Sequence, residues 1–202
     1  MRIGIDFDNT IVTYDGVFLA AARQRGLVDQ SFPANKREIR NHIRSLPEGE
    51  SSWQELQGYV YGSGIAAATM FDGVAGFLQR CRCQGVPVSI VSHKTEYGHF
   101  DPFRVNLRNA ALEWMRVQGF FDDDGYGIGI DDVFFESTRC EKLARIGHLR
   151  CTHFIDDLEE VLGDPQFPPG VAGILFSQSG RGPYAVCSSW SAIENRVFHD
   201  RA

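Results

Sequence analysis

Two aspartates lie close together near the amino end of the sequence, in the segment MRIGIDFDNT. Asp6 and Asp8 follow an apolar stretch, although aspartate is a poor strand former and two carboxylates so close in sequence repel each other. Alternate residues of an extended segment face the same side, so both carboxylates can point into one pocket. A divalent cation would remove the repulsion, and Mg²⁺ prefers oxygen ligands completed by water. The spacing therefore indicates either a polar turn or a cation site.

The elements that must position these aspartates alternate along the chain. Apolar runs predict strands, and i, i+3, i+4 spacing of apolar residues between them predicts helices, as at Val74, Phe77 and Leu78. The predicted strands span residues 3–7, 87–92, 132–135, 152–155 and 171–176. Strands that alternate with helices are typical of a doubly wound parallel α/β sheet.

Ligands of such a sheet bind beyond the carboxyl ends of its strands, which is where the remaining polar candidates occur. Lys142 lies in the first turn of a helix that the capping box Thr138-Arg-Cys-Glu141 opens, where the helix dipole disfavours a cation. The candidates that follow the strands are Asp6 and Asp8, then Ser92, His93 and Lys94, and finally Asp156 and Asp157. We expect these side chains to converge at one edge of the sheet.

The long stretch between the first two predicted strands exceeds a single crossover. Within it, residues 16–25, 34–46 and 52–62 have helical patterns. The sequence thus predicts an α/β core made of residues 1–14 and 71–202, with residues 15–70 as an inserted helical subdomain. Arg37, Arg40 and Arg44 share one face of an insert helix and serve either as a solvated face or as a contact for an anionic substrate.

The ordered set DFDNT, VS, Lys142 and FIDD resembles the four motifs of the haloacid dehalogenase (HAD) superfamily, of the phosphatase type with a helical cap inserted after the first motif. The resemblance covers residues 1–176. It implies a Rossmann-like HAD-type core with a small helical cap, and the strand order 5-4-1-2-3.

The same resemblance implies roles for individual residues. Asp6 would be the nucleophile that forms an aspartyl-phosphate, and Asp8 would protonate the leaving oxygen and then activate water. HAD members that cleave carbon–halogen or carbon–phosphorus bonds lack the second carboxylate, so its presence here points to phosphoryl chemistry. Ser92 would bind the phosphoryl oxygens. Lys142 would neutralise charge, with Lys94 as a rival for that role.

The resemblance also implies a Mg²⁺ site formed by Asp6, Asp8 and Asp156. Asp157 either contacts the metal or caps a helix that begins at Leu158. The residues that we expect to bind the phosphate or the rest of the substrate are Asn9, Ser92, His93 and Lys94, with Glu96 and His99 as further candidates beside the pocket.

These expectations describe a Mg²⁺-dependent phosphatase that hydrolyses a small phosphomonoester, either a sugar phosphate or a nucleotide-like metabolite. Two alternatives stay open. A phosphomutase or phosphotransferase would use the same residues but pass the phosphoryl group to a hydroxyl. A non-catalytic HAD-like binding module would keep the fold without turnover.

Composition limits the partners and the compartment. The net charge of −6 disfavours nucleic acid and anionic membrane as partners. No segment approaches the ~20 apolar residues of a membrane span, and we expect no signal peptide. The five cysteines lack metal-ligand spacing and are expected to be reduced thiols, as in a cytoplasmic protein. The sequence gives no oligomeric state.

Overall fold

The computed structural model describes residues 1–98 and 104–199. The chain divides into two compact units. The first comprises Met1–Val12, Met70–Lys94 and Gln118–Ala202, and the second comprises Thr13–Thr69 and Thr95–Val117. The second unit differs from the predicted insert, residues 15–70, because it also contains Thr95–Val117.

The first unit is built on a parallel sheet. Within the described residues its six strands are, in chain order, β1 (Ile3–Ile5), β2 (Val88–His93), β3 (Val133–Glu136), β4 (His153–Asp156), β5 (Ala172–Phe176) and β6 (Ala185–Cys187). Their spatial order is β3-β2-β1-β4-β5-β6, and every neighbouring pair is parallel. The expected order of the first five strands is confirmed, and β6 adds an edge strand that the sequence did not indicate.

The centre of the sheet is buried on both faces. Ile3 and Ile5 of β1 are fully buried, and β2 is buried from Val88 to Ser92. This matches the nearly continuous apolar runs expected of strands covered on both sides. Gly4 is required between the two isoleucines, because a Cβ there would lie 2.6 Å from Cδ2 of Phe154 on β4.

The helices confirm the predicted α/β alternation. They are α1 (Asp15–Gln24), α2 (Lys36–Arg44), α3 (Gly49–Tyr61), α4 (Val74–Cys83), α5 (Leu107–Val117), α6 (Arg139–His148), α7 (Glu159–Leu162) and α8 (Trp190–Phe198). Short 3₁₀ helices span Ser63–Ala67 and Ile130–Asp132, and the strands Val12–Thr13 and Thr69–Met70 form a separate two-stranded sheet. No helix in residues 1–98 or 104–199 has both the length and the apolar character needed to cross a bilayer.

The second unit has its own aromatic core. Phe18 of α1 stacks on Trp53 of α3 with 5.0 Å between ring centroids, and Tyr61 meets Phe18 edge-on at 5.7 Å. Trp114 of α5 donates a buried hydrogen bond of 3.0 Å from Nε1 to the carbonyl of Ala68. This bond ties α5 to the same unit, although the helix lies far from the other helices in sequence.

The cysteines do not form disulfides. All five are free thiols, and Cys81, Cys151 and Cys187 are buried. Burial raises the pKa of Cys81 to about 12 and that of Cys151 to about 11. These two thiols are therefore poor nucleophiles and behave as small apolar core residues.

Candidate functional site

The carboxyl ends of β1 and β4 bring two buried aspartates together. Asp6 directly follows β1, and its backbone N–H donates to the carbonyl of Ile155 at 2.9 Å, which continues the ladder between the two strands. Asp156 is the last residue of β4. Asp6 is 5% exposed and Asp156 is fully buried, so both carboxylates need partners inside the protein.

Lys142 supplies a partner for both carboxylates. The predicted capping box opens α6, with the Thr138 side chain accepting from the Glu141 N–H and the Glu141 side chain accepting from the Thr138 N–H. Lys142 is the next residue after Glu141, and its Nζ donates to Oδ1 of Asp6 at 2.7 Å and to Oδ2 of Asp156 at 2.6 Å. The lysine is 1% exposed. Its unusual position in a first helical turn is thus explained by the two carboxylates that it contacts.

At this site two buried carboxylates share one ammonium group, and burial and these charges shift the pKa values of Asp6 and Lys142. Burial raises the pKa of Asp6 from 3.8 to about 7; Lys142 lowers this pKa, whereas Asp156 and Asp8 raise it. Burial alone would lower the pKa of Lys142, but the attraction of Asp6 and Asp156 outweighs it and the pKa is raised. One ammonium group therefore faces two carboxylates, and further positive charge would stabilise the ionised form of Asp6.

A third carboxylate completes a group that fits a metal ion. Oxygens of Asp6, Asp156 and Asp157 all lie within 4.8 Å of one another. Carboxylate oxygens are the ligands that Mg²⁺ prefers, so the donor set suits the predicted ion. Leu158, rather than Asp157, is the N-cap residue of α7, and its N–H donates to Oδ1 of Asp156 at 2.9 Å. Asp157 is therefore not the N-cap residue of α7, which was the alternative to metal binding that the sequence left open.

Asp8 is not part of this three-carboxylate group among the described residues. Its carboxylate instead contacts Nζ of Lys94, at 3.0 Å to Oδ1 and 2.9 Å to Oδ2. The sequence offered Lys94 as a phosphate ligand or as the rival of Lys142. The structure separates the two lysines, since Lys142 contacts Asp6 and Lys94 contacts Asp8. Metal binding by Asp8 stays a prediction.

The remaining candidates lie close to these residues in sequence. Asn9 has a φ of 58°, a left-handed conformation that asparagine tolerates, and its N–H donates to the carbonyl of Val12 at 2.9 Å. Ser92 is 1% exposed near the end of β2. His93 is exposed, and its Nε2 lies 2.9 Å from the carbonyl of Ser137. Their roles in binding phosphate or substrate stay predictions.

Two further predicted contacts lie in the segment after β2. Oε1 of Glu96 accepts a hydrogen bond of 3.0 Å from Nδ2 of Asn106. His99 falls outside the described residues. Substrate contact by either residue stays a prediction.

One residue beside the site was missed by sequence reasoning. Trp190, the first residue of α8, donates from Nε1 to the carbonyl of Thr10 at 3.1 Å, and the bond is buried. It therefore supports the turn that follows Asp8. No local sequence pattern predicts this contact, because the two residues lie 180 positions apart in sequence.

Comparisons with known proteins give structural matches alone. No family model matches the sequence, and no curated protein shows a significant match to it. A HAD-superfamily hydrolase of subfamily IA, variant 1, from Geobacter sulfurreducens has a TM-score of 0.60 and 14% identity, with 97% of this chain and 95% of that chain covered.

Two further structures show the same similarity over nearly their whole length. A HAD-family hydrolase from Deinococcus radiodurans, solved with bound phosphate and sodium, has a TM-score of 0.57 and 15% identity, with 97% of this chain and 94% of that chain covered. Protein tyrosine kinase A of Mycobacterium tuberculosis has a TM-score of 0.64 and 15% identity, with 98% of both chains covered. At such low identity these matches establish the fold, and the chain therefore has the α/β fold of the HAD-superfamily hydrolases.

Proposed function

We propose that this protein is a Mg²⁺-dependent phosphatase that hydrolyses a small phosphomonoester through an aspartyl-phosphate on Asp6. One observation carries the proposal. Asp6 is buried at the carboxyl end of the central strand, 2.7 Å from the ammonium group of Lys142, in a group of carboxylates that suits a divalent cation. A carboxylate held beside a cation at this edge of the sheet supports the proposal that Asp6 attacks an anionic phosphoryl group.

The proposed reaction has two steps. In the first, a carboxylate oxygen of Asp6 attacks phosphorus, the ester P–O bond breaks, and Asp8 gives a proton to the departing alkoxide. In the second, Asp8 takes a proton from water, whose oxygen displaces Asp6 and releases phosphate. Ser92 and Asn9 would bind the equatorial phosphoryl oxygens, and His93 would contact the substrate. Catalysis then depends mainly on positioning and on charge stabilisation.

The predicted ion would bind beside Asp6 in this scheme. Asp6, Asp156 and Asp157 would hold Mg²⁺, and Asp8 is a further candidate ligand. When bound, the ion would offset the charge of the phosphoryl group and favour the ionised form of Asp6. Lys142 keeps the adjacent carboxylates neutralised in part, so a dianionic substrate meets less repulsion at Asp6.

The substrate and the second unit belong to the proposal as well. We propose that the predicted insert, residues 15–70, acts as the cap that selects the substrate, and that the substrate is a sugar phosphate or a nucleotide-like metabolite in the cytoplasm. The Deinococcus hydrolase, which carries bound phosphate, supports phosphate as the group recognised. The Mycobacterium similarity favours a second candidate, phosphoryl transfer to a hydroxyl, because that protein is a tyrosine kinase by name.

The proposal is tested with the wild-type chain, Asp6→Asn and the matched control Asp123→Asn, which changes an exposed aspartate in the same way. Each protein is assayed with Mg²⁺ against p-nitrophenyl phosphate and a panel of sugar phosphates and nucleoside monophosphates. We expect Asp6→Asn to lower kcat by on the order of 10⁴-fold or more, as removal of a nucleophile does, and Asp123→Asn to match the wild type.

Labelled water identifies the acceptor. With ¹⁸O-water, hydrolysis places the label in the released phosphate, whereas transfer to a hydroxyl gives a phosphorylated product without label. Equal activity of the wild type and Asp6→Asn would defeat the mechanism. A wild type that turns over nothing on the panel would favour the binding module.

A further inference from the structure

The backbone of Lys94 is fixed by an extension of the parallel ladder beyond β2 and β3. His93 pairs with Glu136 at the last position of the ladder, and the N–H of Lys94 donates to the carbonyl of Glu136 at 3.0 Å. The His93 ring is held to the carbonyl of Ser137 at 2.9 Å. The segment that carries Lys94 is therefore part of the sheet framework rather than a free loop.

The side chain of Lys94 is fixed as well. It is 3% exposed, and its Nζ lies 5.8 Å from the centroid of the Phe7 ring. Phe7 is fully buried and stands between Asp6 and Asp8 in sequence. A buried stem beside a buried ring leaves the ammonium group little freedom, and that group contacts both carboxylate oxygens of Asp8, at 3.0 and 2.9 Å.

Asp8 is restrained by Lys94 and is also partly exposed to solvent. Its side chain is 20% exposed, and its backbone bridges to Val12 across the turn that follows β1. A cation that contacts both oxygens of a carboxylate restricts the orientation of that group more than a contact with one oxygen does. The contact with Lys94 therefore defines where the carboxylate of Asp8 points.

From this geometry we infer that Lys94 is a positioning residue for Asp8, the proton donor of the proposed reaction, and that it does not bind the phosphoryl group. The inference rests on the proposed function. Asp8 passes its proton to the leaving alkoxide as the P–O bond breaks and regains one from water in the second step. Lys94 neither gains nor loses a proton and acts only through the orientation of Asp8.

This role has a kinetic signature that depends on the leaving group. General acid catalysis matters for esters whose leaving oxygen is strongly basic and matters little for good leaving groups. A defect in Asp8 therefore lowers kcat/KM, which reports the steps up to release of the leaving group, much more for an alkyl phosphate than for p-nitrophenyl phosphate. A slower second step would lower kcat of both esters alike, because both pass through the same aspartyl-phosphate. A defect in phosphate binding slows both esters alike and weakens inhibition by inorganic phosphate.

The experiment compares wild type, Lys94→Met, Asp8→Asn and the double variant on p-nitrophenyl phosphate and on an alkyl phosphate that the wild type hydrolyses. We expect Lys94→Met to lower kcat/KM on the alkyl ester by about 10-fold or more, within the range that general acid catalysis contributes. We expect a nearly unchanged kcat/KM on the aryl ester and an unchanged inhibition constant for phosphate. The double variant should be no slower than Asp8→Asn alone, because the two residues act as one unit.

Lys94→Gln and Lys94→Arg keep the inference testable if the methionine variant fails to fold, and Lys94→Arg should recover part of the alkyl-ester rate. Equal losses of kcat/KM on both esters, a raised inhibition constant for phosphate, or multiplicative losses in the double variant would each overturn the role assigned to Lys94 while leaving the phosphatase proposal intact. A wild type inactive on both esters would overturn the phosphatase proposal and this inference with it.

Discussion

Asp6 and Lys142 form a buried ion pair, with 2.7 Å between Oδ1 and Nζ, although 136 positions separate them in sequence. The lysine also contacts Asp156, so a single ammonium group serves two buried carboxylates. Such an arrangement costs desolvation free energy, which the geometry of the pair and its hydrogen bonds must offset. The candidate site is therefore also a determinant of stability, and three predictions follow from that dual role and from the strand that carries it.

Replacing Lys142 by methionine should destabilise the protein by about 3–5 kcal/mol, because it leaves Asp6 and Asp156 buried without their common partner. The free energy of unfolding can be measured by urea denaturation at pH 8 in the presence of EDTA. The charge-compensated variant Lys142→Met/Asp6→Asn should recover part of the loss, since it removes one of the two stranded charges. A single variant as stable as the wild type would show that the ion pair contributes no stability.

Binding of Mg²⁺ should depend on pH through Asp6. The folded-state pKa of this group is raised from 3.8 to about 7, so its contribution to stability is complete below pH 3.8 and is lost as the pH rises through about 7. A cation competes with the proton on Asp6. Addition of MgCl₂ should therefore raise Tm more at pH 8 than at pH 6, which differential scanning fluorimetry measures directly.

The control for this prediction is Asp6→Asn, which cannot bind the proton. Its Mg²⁺-induced rise in Tm should be smaller than that of the wild type and nearly the same at both pH values. If the wild type shows the same rise at pH 6 and pH 8, Asp6 does not link proton binding to cation binding.

Replacing Gly4 by alanine should destabilise the strand that carries Asp6. The added Cβ would lie 2.6 Å from Cδ2 of Phe154 and 2.9 Å from Sγ of Cys151, both of which are buried. Overpacking of this kind costs about 1–3 kcal/mol, and chemical denaturation can measure it. Because Asp6 lies two residues further on, we also expect weaker Mg²⁺ binding.

Gly16 provides the matched control for Gly4. It is exposed in α1, and a Cβ there would meet nothing within 4 Å. Gly16→Ala should be neutral or stabilising by up to about 1 kcal/mol, because alanine has the better helix propensity and loses less chain entropy on folding. A comparable loss of stability in both variants would contradict the steric explanation.

The sequence predicted the core of the site because two simple rules place it. The carboxyl ends of parallel strands meet at one edge, which brings Asp6 and Asp156 together. The capping box at Thr138 defines the start of α6 and therefore the turn that carries Lys142. Both rules concern where strands and helices begin and end, which local sequence patterns predict well.

The partner of Lys94 could not be predicted from the sequence. A lysine stem is long enough to reach a phosphate, a neighbouring carboxylate or solvent, and its direction depends on ladder contacts to Glu136 that no local pattern contains. The position of α5 could not be predicted either. Its amphipathic spacing predicts that Trp114 is buried, but it does not predict the hydrogen bond from Trp114 to the carbonyl of Ala68. The edge strand β6 is three residues long, too short for an alternating pattern.

The central position of β1 has a consequence for biosynthesis. Ile3 pairs with Val88 on one side and with His153 on the other. Both edges of this strand therefore stay unpaired until segments that are translated much later have been made. At ordinary elongation rates the delay before β4 emerges is on the order of ten seconds. In a ribosome-bound chain during that interval, the strand that precedes Asp6 lacks its later partner and Lys142 has not yet been made, so the acidic site can form only after most of the chain has been translated.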